Sequence, residues 1–170
     1  ALETLLLFTS ANGSHLGRNG LWSDAMGSEP PNLFEPAVHT PAIWSWPGRI
    51  PVQAVRPEVV SHADVFPTLC EAAGAPVPPG LCGRSYLTML RNRPLDRKNP
   101  WQGIAFAALG DARMARDNRY KLILRSSGGS ELYDLRADAA ERVNRYEDPG
   151  YLNVRDGLTR QIESWAKRCG

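Results

Sequence analysis

No run in the 170-residue sequence approaches the roughly 18 apolar residues that a membrane-spanning helix needs, so no such helix is predicted. Cysteine is scarce. Cys70, Cys82 and Cys169 show no CxxC spacing, which indicates neither a disulfide framework nor a zinc site. A Cys70–Cys82 bridge is open on spacing, and buried free thiols are the favoured state. These cysteines do not fix a compartment. Lysine is absent before Lys98, and there is no internal repeat or low-complexity tract. Net charge is only +2, with 42% hydrophobic and 22% charged residues, which excludes a disordered chain and predicts one packed core. The sequence also lacks an initiating Met and a signal peptide. It enters an apolar run at once, Leu5 to Phe8, so a piece of a larger protein is expected.

The near-zero charge conceals a split. Residues 1–83 carry net −4, residues 84–125 net +7 and residues 126–170 net −1. The basic middle admits two readings. It can steer an anionic polymer, or it can supply solvated strand edges that discourage pairing with other chains. The second is the expectation, with no nucleic acid and no membrane as partners.

Glu3 to Thr9 reads as a strand. Its continuous apolar run suits a parallel strand covered on both faces. A long stretch rich in Gly, Ser, Asn and Pro follows to about Thr40, of a length that usually carries function. Residues 42–46 form a second apolar run. Ser61 to Asp64 opens a helix as a capping box with Asp in place of Glu. Val65, Phe66, Leu69, Cys70 and Ala73 then share one face, and Gly74 ends it. Residues 85–91 are a short helix candidate. The charged loop 91–100 is the best boundary. It gives a first part at 1–95 and a second at 96–170. Beyond Trp101 come four short strands, over 104–109, 112–116, 120–125 and 131–135, as an antiparallel sheet. Asp138 to Glu141 reads as the cap of a short helix. Leu158, Ile162 and Trp165 mark a terminal helix that would cover one face of that sheet. The five Trp read as core rather than sugar platforms.

Six blocks then match one family in order. Phe8-Thr9-Ser10-Ala11-Asn12-Gly13 with His15-Leu16-Gly17 resembles the strand-end signature of the sulfatases, of the alkaline-phosphatase-like superfamily. Leu33-Phe34-Glu35, Thr40 to Ile43 and Trp46 to Ile50 are similar to the next block. Val60 to Leu69, Gly83 to Leu87, Arg119 to Ile123, and Glu131 to Leu135 with Glu141 and Asn144 resemble the later ones. The likeness is to the C-terminal part only. It implies an α/β fold, the C-terminal part of an alkaline-phosphatase-like sulfatase, with a small antiparallel sheet packed by a C-terminal helix. In this reading, 1–95 belongs to the large α/β domain and 96–170 is the sheet-plus-helix subdomain.

The resemblance implies a sulfuric ester hydrolase with a formylglycine, made from a C/S-x-P-x-R motif, beside a divalent cation, usually calcium. That motif is absent. Cys82-Gly83-Arg84-Ser85 has neither the Pro nor the Arg in place. The family places an Asp-Asn metal-ligand pair at the strand end, where open α/β sheets bind ligands. Here the Asp position is Ala11, so only Asn12 remains as a metal candidate, and calcium should be held weakly or not at all. A plain Asn-Gly turn with Asn12 left-handed is the competing reading. The family's sulfate-contacting Lys has no counterpart between Gly20 and Phe34. One alignment puts Asp24 there. His15 is the weak catalytic candidate, as a sulfate contact, against a plain loop histidine. His39, His62, Glu35 and Asp64 are expected to hold structure.

The chain alone is expected not to be catalytic. Its expected partners are a missing N-terminal sulfatase half, a sulfated small molecule or glycan as the parent's substrate, and a second copy of itself if isolated. The alternative is a non-catalytic sulfatase-like protein with a binding or structural role. A periplasmic or secreted location accords with the resemblance.

Overall fold

The computed structural model describes residues 3–169. The chain groups into two compact units. One comprises the chain up to Thr9, Ala42–Gly103 and Cys169, and the other Ser10–Pro41 and Ile104–Arg168.

In the first unit, β1 (Leu6–Thr9) pairs antiparallel with β2 (Ala42–Ser45), Phe8 opposite Ile43. The expected parallel strand is corrected here. The run is antiparallel, and Leu6, Phe8 and Ile43 are exposed rather than covered on both faces. α2 (Val65–Ala73) begins after the expected capping box: Asp64 Oδ2 accepts from the Ser61 amide at 2.8 Å. Its buried side is not the predicted one. Pro67 and Thr68 are buried, whereas Phe66 and Leu69 point outward. The hydroxyl of Thr68 explains the choice, since it donates to Asp64 O (2.6 Å) and accepts from the Tyr86 amide (3.1 Å). Two backbone groups are thereby satisfied at the buried face. Gly83 is required nearby. A Cβ there would meet Ala63 O at 1.9 Å. α3 (Leu87–Leu90) is the short helix foreseen near 85–91.

The second unit is built on the strands β3 (Ala105–Leu109), β4 (Ala112–Arg116), β5 (Tyr120–Leu124) and β6 (Glu131–Asp134), antiparallel in that order. Gly110 at φ 58° opens the tight β3–β4 turn, a conformation costly for a side chain. Period-two alternation divides β5 between two cores. Leu122 faces Ala115, Leu132, Leu158 and Ile162, the last two from α4 (Leu152–Cys169). Ile123 faces Ala112, Met114, Tyr133 and Leu33. The helix over one face matches the pattern read from 158, 162 and 165. Covering the other face is a segment of the long irregular stretch, including α1 (Glu35–Val38).

Two further expectations are corrected. Asp138 to Glu141 does not open a helix. Asp138 Oδ2 accepts from the Arg142 and Val143 amides, and Glu141 lies at φ 54°, which ends any helical turn. Four of the five Trp are buried or half-buried, but Trp22 is exposed.

Leu122 is completely buried. Leu122→Ala should therefore lower unfolding stability by about 3 kcal/mol. Urea denaturation reads this, and Gly129→Ala, with open space around its Cα, should change it by less than about 0.5 kcal/mol.

Candidate functional site

The strand-end residues Ala11 and Asn12 lie in the second unit. Ser10 Oγ donates to Asn12 O (2.6 Å), and the Asn12 side-chain amide donates to Gly13 O (2.8 Å). Asn12 does not adopt the left-handed conformation of the competing turn reading. Its side chain is exposed, and its Oδ1 accepts no hydrogen bond among the described residues. Gly13 is fixed by close approach. Its amide donates to Ala37 O (2.9 Å), and a Cβ would stand 2.0 Å from Pro36 O. The Asn12 turn therefore rests directly on α1.

α1 is itself held by buried charges. Lys121 projects from β5 with no side-chain exposure. Its Nζ lies 2.7 Å from Glu35 Oε1 and 2.8 Å from Glu141 Oε1, and donates to Leu33 O at 3.0 Å. Glu141 Oε2 accepts from the Glu35 amide at 2.6 Å. Arg116 reaches Glu35 Oε2 at 3.2 Å, and His39 Nδ1 lies 3.4 Å from the same oxygen. Burial would raise the pKa of Glu35. The His39 contact and the cations Lys121 and Arg116 outweigh it and hold the carboxyl far below its ordinary range. Burial dominates at Glu141, whose pKa is raised despite Lys121 and the Glu35 amide.

His15 is buried. Its Nε2 lies 2.8 Å from Asn32 Oδ1, its ring meets Phe34 edge-on at 6.0 Å, and its Nδ1 has no hydrogen-bond partner. Asp24 Oδ1 accepts from the Met26 amide (3.0 Å). In the first unit, His62 Nε2 lies 3.3 Å from Thr9 Oγ1, and Asp64 braces the Ser61 and Arg84 amides. The basic strands of the second unit are spent internally: Arg116 and Lys121 on Glu35, Arg119 on Asp134, and Arg125 on Glu131 and Pro31 O. Sequence reasoning missed the Glu35–Lys121–Glu141 cluster. Its one available signal was a Lys alternating with apolar residues in β5, on the face of Ile123.

These features fit a known protein family. Residues 31–168 match the sequence profile described as N-sulphoglucosamine sulphohydrolase, C-terminal. The chain belongs to the sulfatase family. Among curated sulfatases it is 33% identical over 149 residues to mouse arylsulfatase K, covering 80% of this chain and 27% of that protein. It is 31% identical over 152 residues to choline-sulfatase of Rhizobium meliloti (strain 1021), covering 86% and 28%. Two solved structures share the fold. One is a protein in complex with its substrate D-glucosamine-2-N,6-O-disulfate (TM-score 0.84, 23% identity, 97% of this chain and 34% of that one). The other is a phosphonate monoester hydrolase from Silicibacter pomeroyi (TM-score 0.81, 23% identity, 97% and 35%). The sulfatase chain thus spans about a third of the length of these relatives.

Removing Lys121 leaves two carboxylates facing each other in the interior. Lys121→Met should cost about 3–5 kcal/mol in chemical denaturation. The pH dependence has a definite sign. The folded-state pKa of Glu35 lies below its unfolded value, so its stabilisation is present above the ordinary glutamate pKa of 4.5 and is lost as pH falls below it. Glu141, shifted upward, contributes in the opposite sense: its share is present at low pH and lost as pH rises through its raised pKa. Stability measured from about pH 6 down to about pH 3 should fall, and Glu35→Gln should make that fall shallower.

Proposed function

We propose that this chain is the C-terminal portion of a sulfuric ester hydrolase and that it does not turn over sulfate esters by itself. The observation that carries the second half is the donor set at the strand end. Calcium takes six to eight oxygens, several of them charged. Ala11 supplies none, and Asn12 supplies one neutral amide oxygen. Ala11 and Asn12 by themselves do not make a calcium site, and no chemical step is routed through one. No residue here can become the formylglycine: the motif is missing, and Cys82 is bonded to Cys169. His15, with its ring held on Asn32 and Phe34, is read as support for the loop rather than as a sulfate contact.

The parent's substrate is a sulfated small molecule or glycan, in keeping with the sulfatases it resembles. An N-terminal sulfatase half is its partner. A second reading, a non-catalytic sulfatase-like protein with a binding or structural role, is favoured by Ala11 together with Asp24. Ala11 gives a methyl group where the family has a metal ligand, and in one alignment Asp24 gives a carboxylate where it has a Lys.

Incubated with an aryl sulfate and calcium, the purified chain should release product no faster than buffer. Turnover above that background would sink the first claim. For the second reading the test lies in the longer parent, where hydrolysis of an aryl sulfate by a protein retaining Ala11 would remove it.

A further inference from the structure

Cys169, the last residue of α4, is bonded to Cys82, 87 positions earlier in the chain, and both group with the first unit. Neither of the two states weighed from spacing, a Cys70–Cys82 bridge or three free thiols, is the one found. Cys70 is the free cysteine and is half-buried.

The cysteines are presented by braced backbone. Beside Cys82, Gly83 packs so closely on Ala63 O that a Cβ would not fit. The Arg84 amide donates to Asp64 Oδ1 at 2.9 Å, and its guanidinium donates to Asn99 and to Pro100 O. Cys169 is the last residue of the 18-residue α4. Their Cα atoms are 5.8 Å apart, within the range a disulfide spans without backbone movement. Two thiols so far apart in sequence, brought to bonding distance on supported backbone, mark a built cross-link. Such a bond persists where the surroundings are oxidising and is rare where glutathione keeps thiols reduced.

We infer that the Cys82–Cys169 cross-link belongs to the mature protein and that the chain folds in an oxidising compartment, with Cys70 left as a thiol. The step is an exchange with a disulfide oxidant such as oxidised glutathione. The two protein thiols are oxidised, one S–S bond forms between them, and the oxidant's S–S bond breaks to give two thiols that take up the two electrons and two protons. This inference stands independently of the sulfatase activity proposed above.

The test is refolding of the full chain in a mixture of oxidised and reduced glutathione, followed by peptide mapping without reductant. A linked pair of peptides carrying Cys82 and Cys169 is expected, with one thiol per chain reactive in denaturant and three after reduction. Reduction should lower Tm by about 10 °C, because the bond closes a long loop in the unfolded chain. Cys82→Ser and Cys169→Ser should each reproduce the reduced Tm and ignore reductant, whereas Cys70→Ser should keep the full reductant-dependent shift. Three reactive thiols in the oxidised chain, a bridge containing Cys70, or a Tm indifferent to reductant would each overturn the inference. If the serine variants do not fold, mapping of the unaltered chain still decides.

Discussion

The second unit turns on one buried ammonium. Lys121 has three N–H groups, and three oxygens stand within 3.0 Å of its Nζ, from Glu35, Glu141 and Leu33. A lysine without side-chain exposure is costly unless it is paired, and two carboxylates beside one cation would repel each other without it. Arg116 supplies the second positive charge, so the two Glu face two fixed cations. The arrangement cannot tolerate sliding. Moving α1 by one residue would take Glu35 out of reach, and restoring a helical conformation at Glu141 would turn its carboxylate away. A left-handed backbone at a bulky residue is thus maintained by the ion pair its side chain makes. The cluster gives register to a sheet face that hydrophobic contacts alone would hold less uniquely.

From there a short mechanical path leads to the strand end. Glu35 fixes α1, the carbonyls of Pro36 and Ala37 press on Gly13, and Gly13 sets the turn that displays Asn12. The histidine of this loop, His15, is held on Asn32, 17 positions away in sequence but adjacent in space.

What the sequence revealed follows from periodicity and from local capping. The four strands of the second sheet, the terminal helix with Leu158 and Ile162, and the Ser61–Asp64 box are all encoded by neighbours within a few residues. The misreadings have a common cause. Whether Phe66 or Thr68 turns inward and whether Glu141 continues a helix are settled by partners about 20 positions away, Tyr86 for Thr68 and Lys121 for Glu141. The same holds for Cys82 and Cys169. The excess of basic residues in 84–125 was visible as a number, but its meaning was not. In the second unit Arg116, Arg119, Lys121 and Arg125 each answer a carboxylate, so these four act as internal ties. Solvated strand edges were also the wrong picture for Lys121, which is interior. At the candidate site, the resemblance singled out Asn12 but not what supports its turn, because Lys121 and Gly13 belong to different blocks.

The division between what is kept and what is altered bears on function. Gly13, Glu35, Lys121 and Glu141 together preserve the support of the strand-end turn. On the proposed non-catalytic reading, Ala11 and, in one alignment, Asp24 stand where the family has a metal ligand and a Lys. Loss of a carboxylate facing a dication removes a charge–charge attraction that a neutral amide oxygen does not replace. A carboxylate in place of an ammonium changes attraction for a sulfate ester into repulsion, an effect that grows as water is excluded. Neither side chain takes part in the Lys121 cluster. That separation is the physical content of the non-catalytic reading.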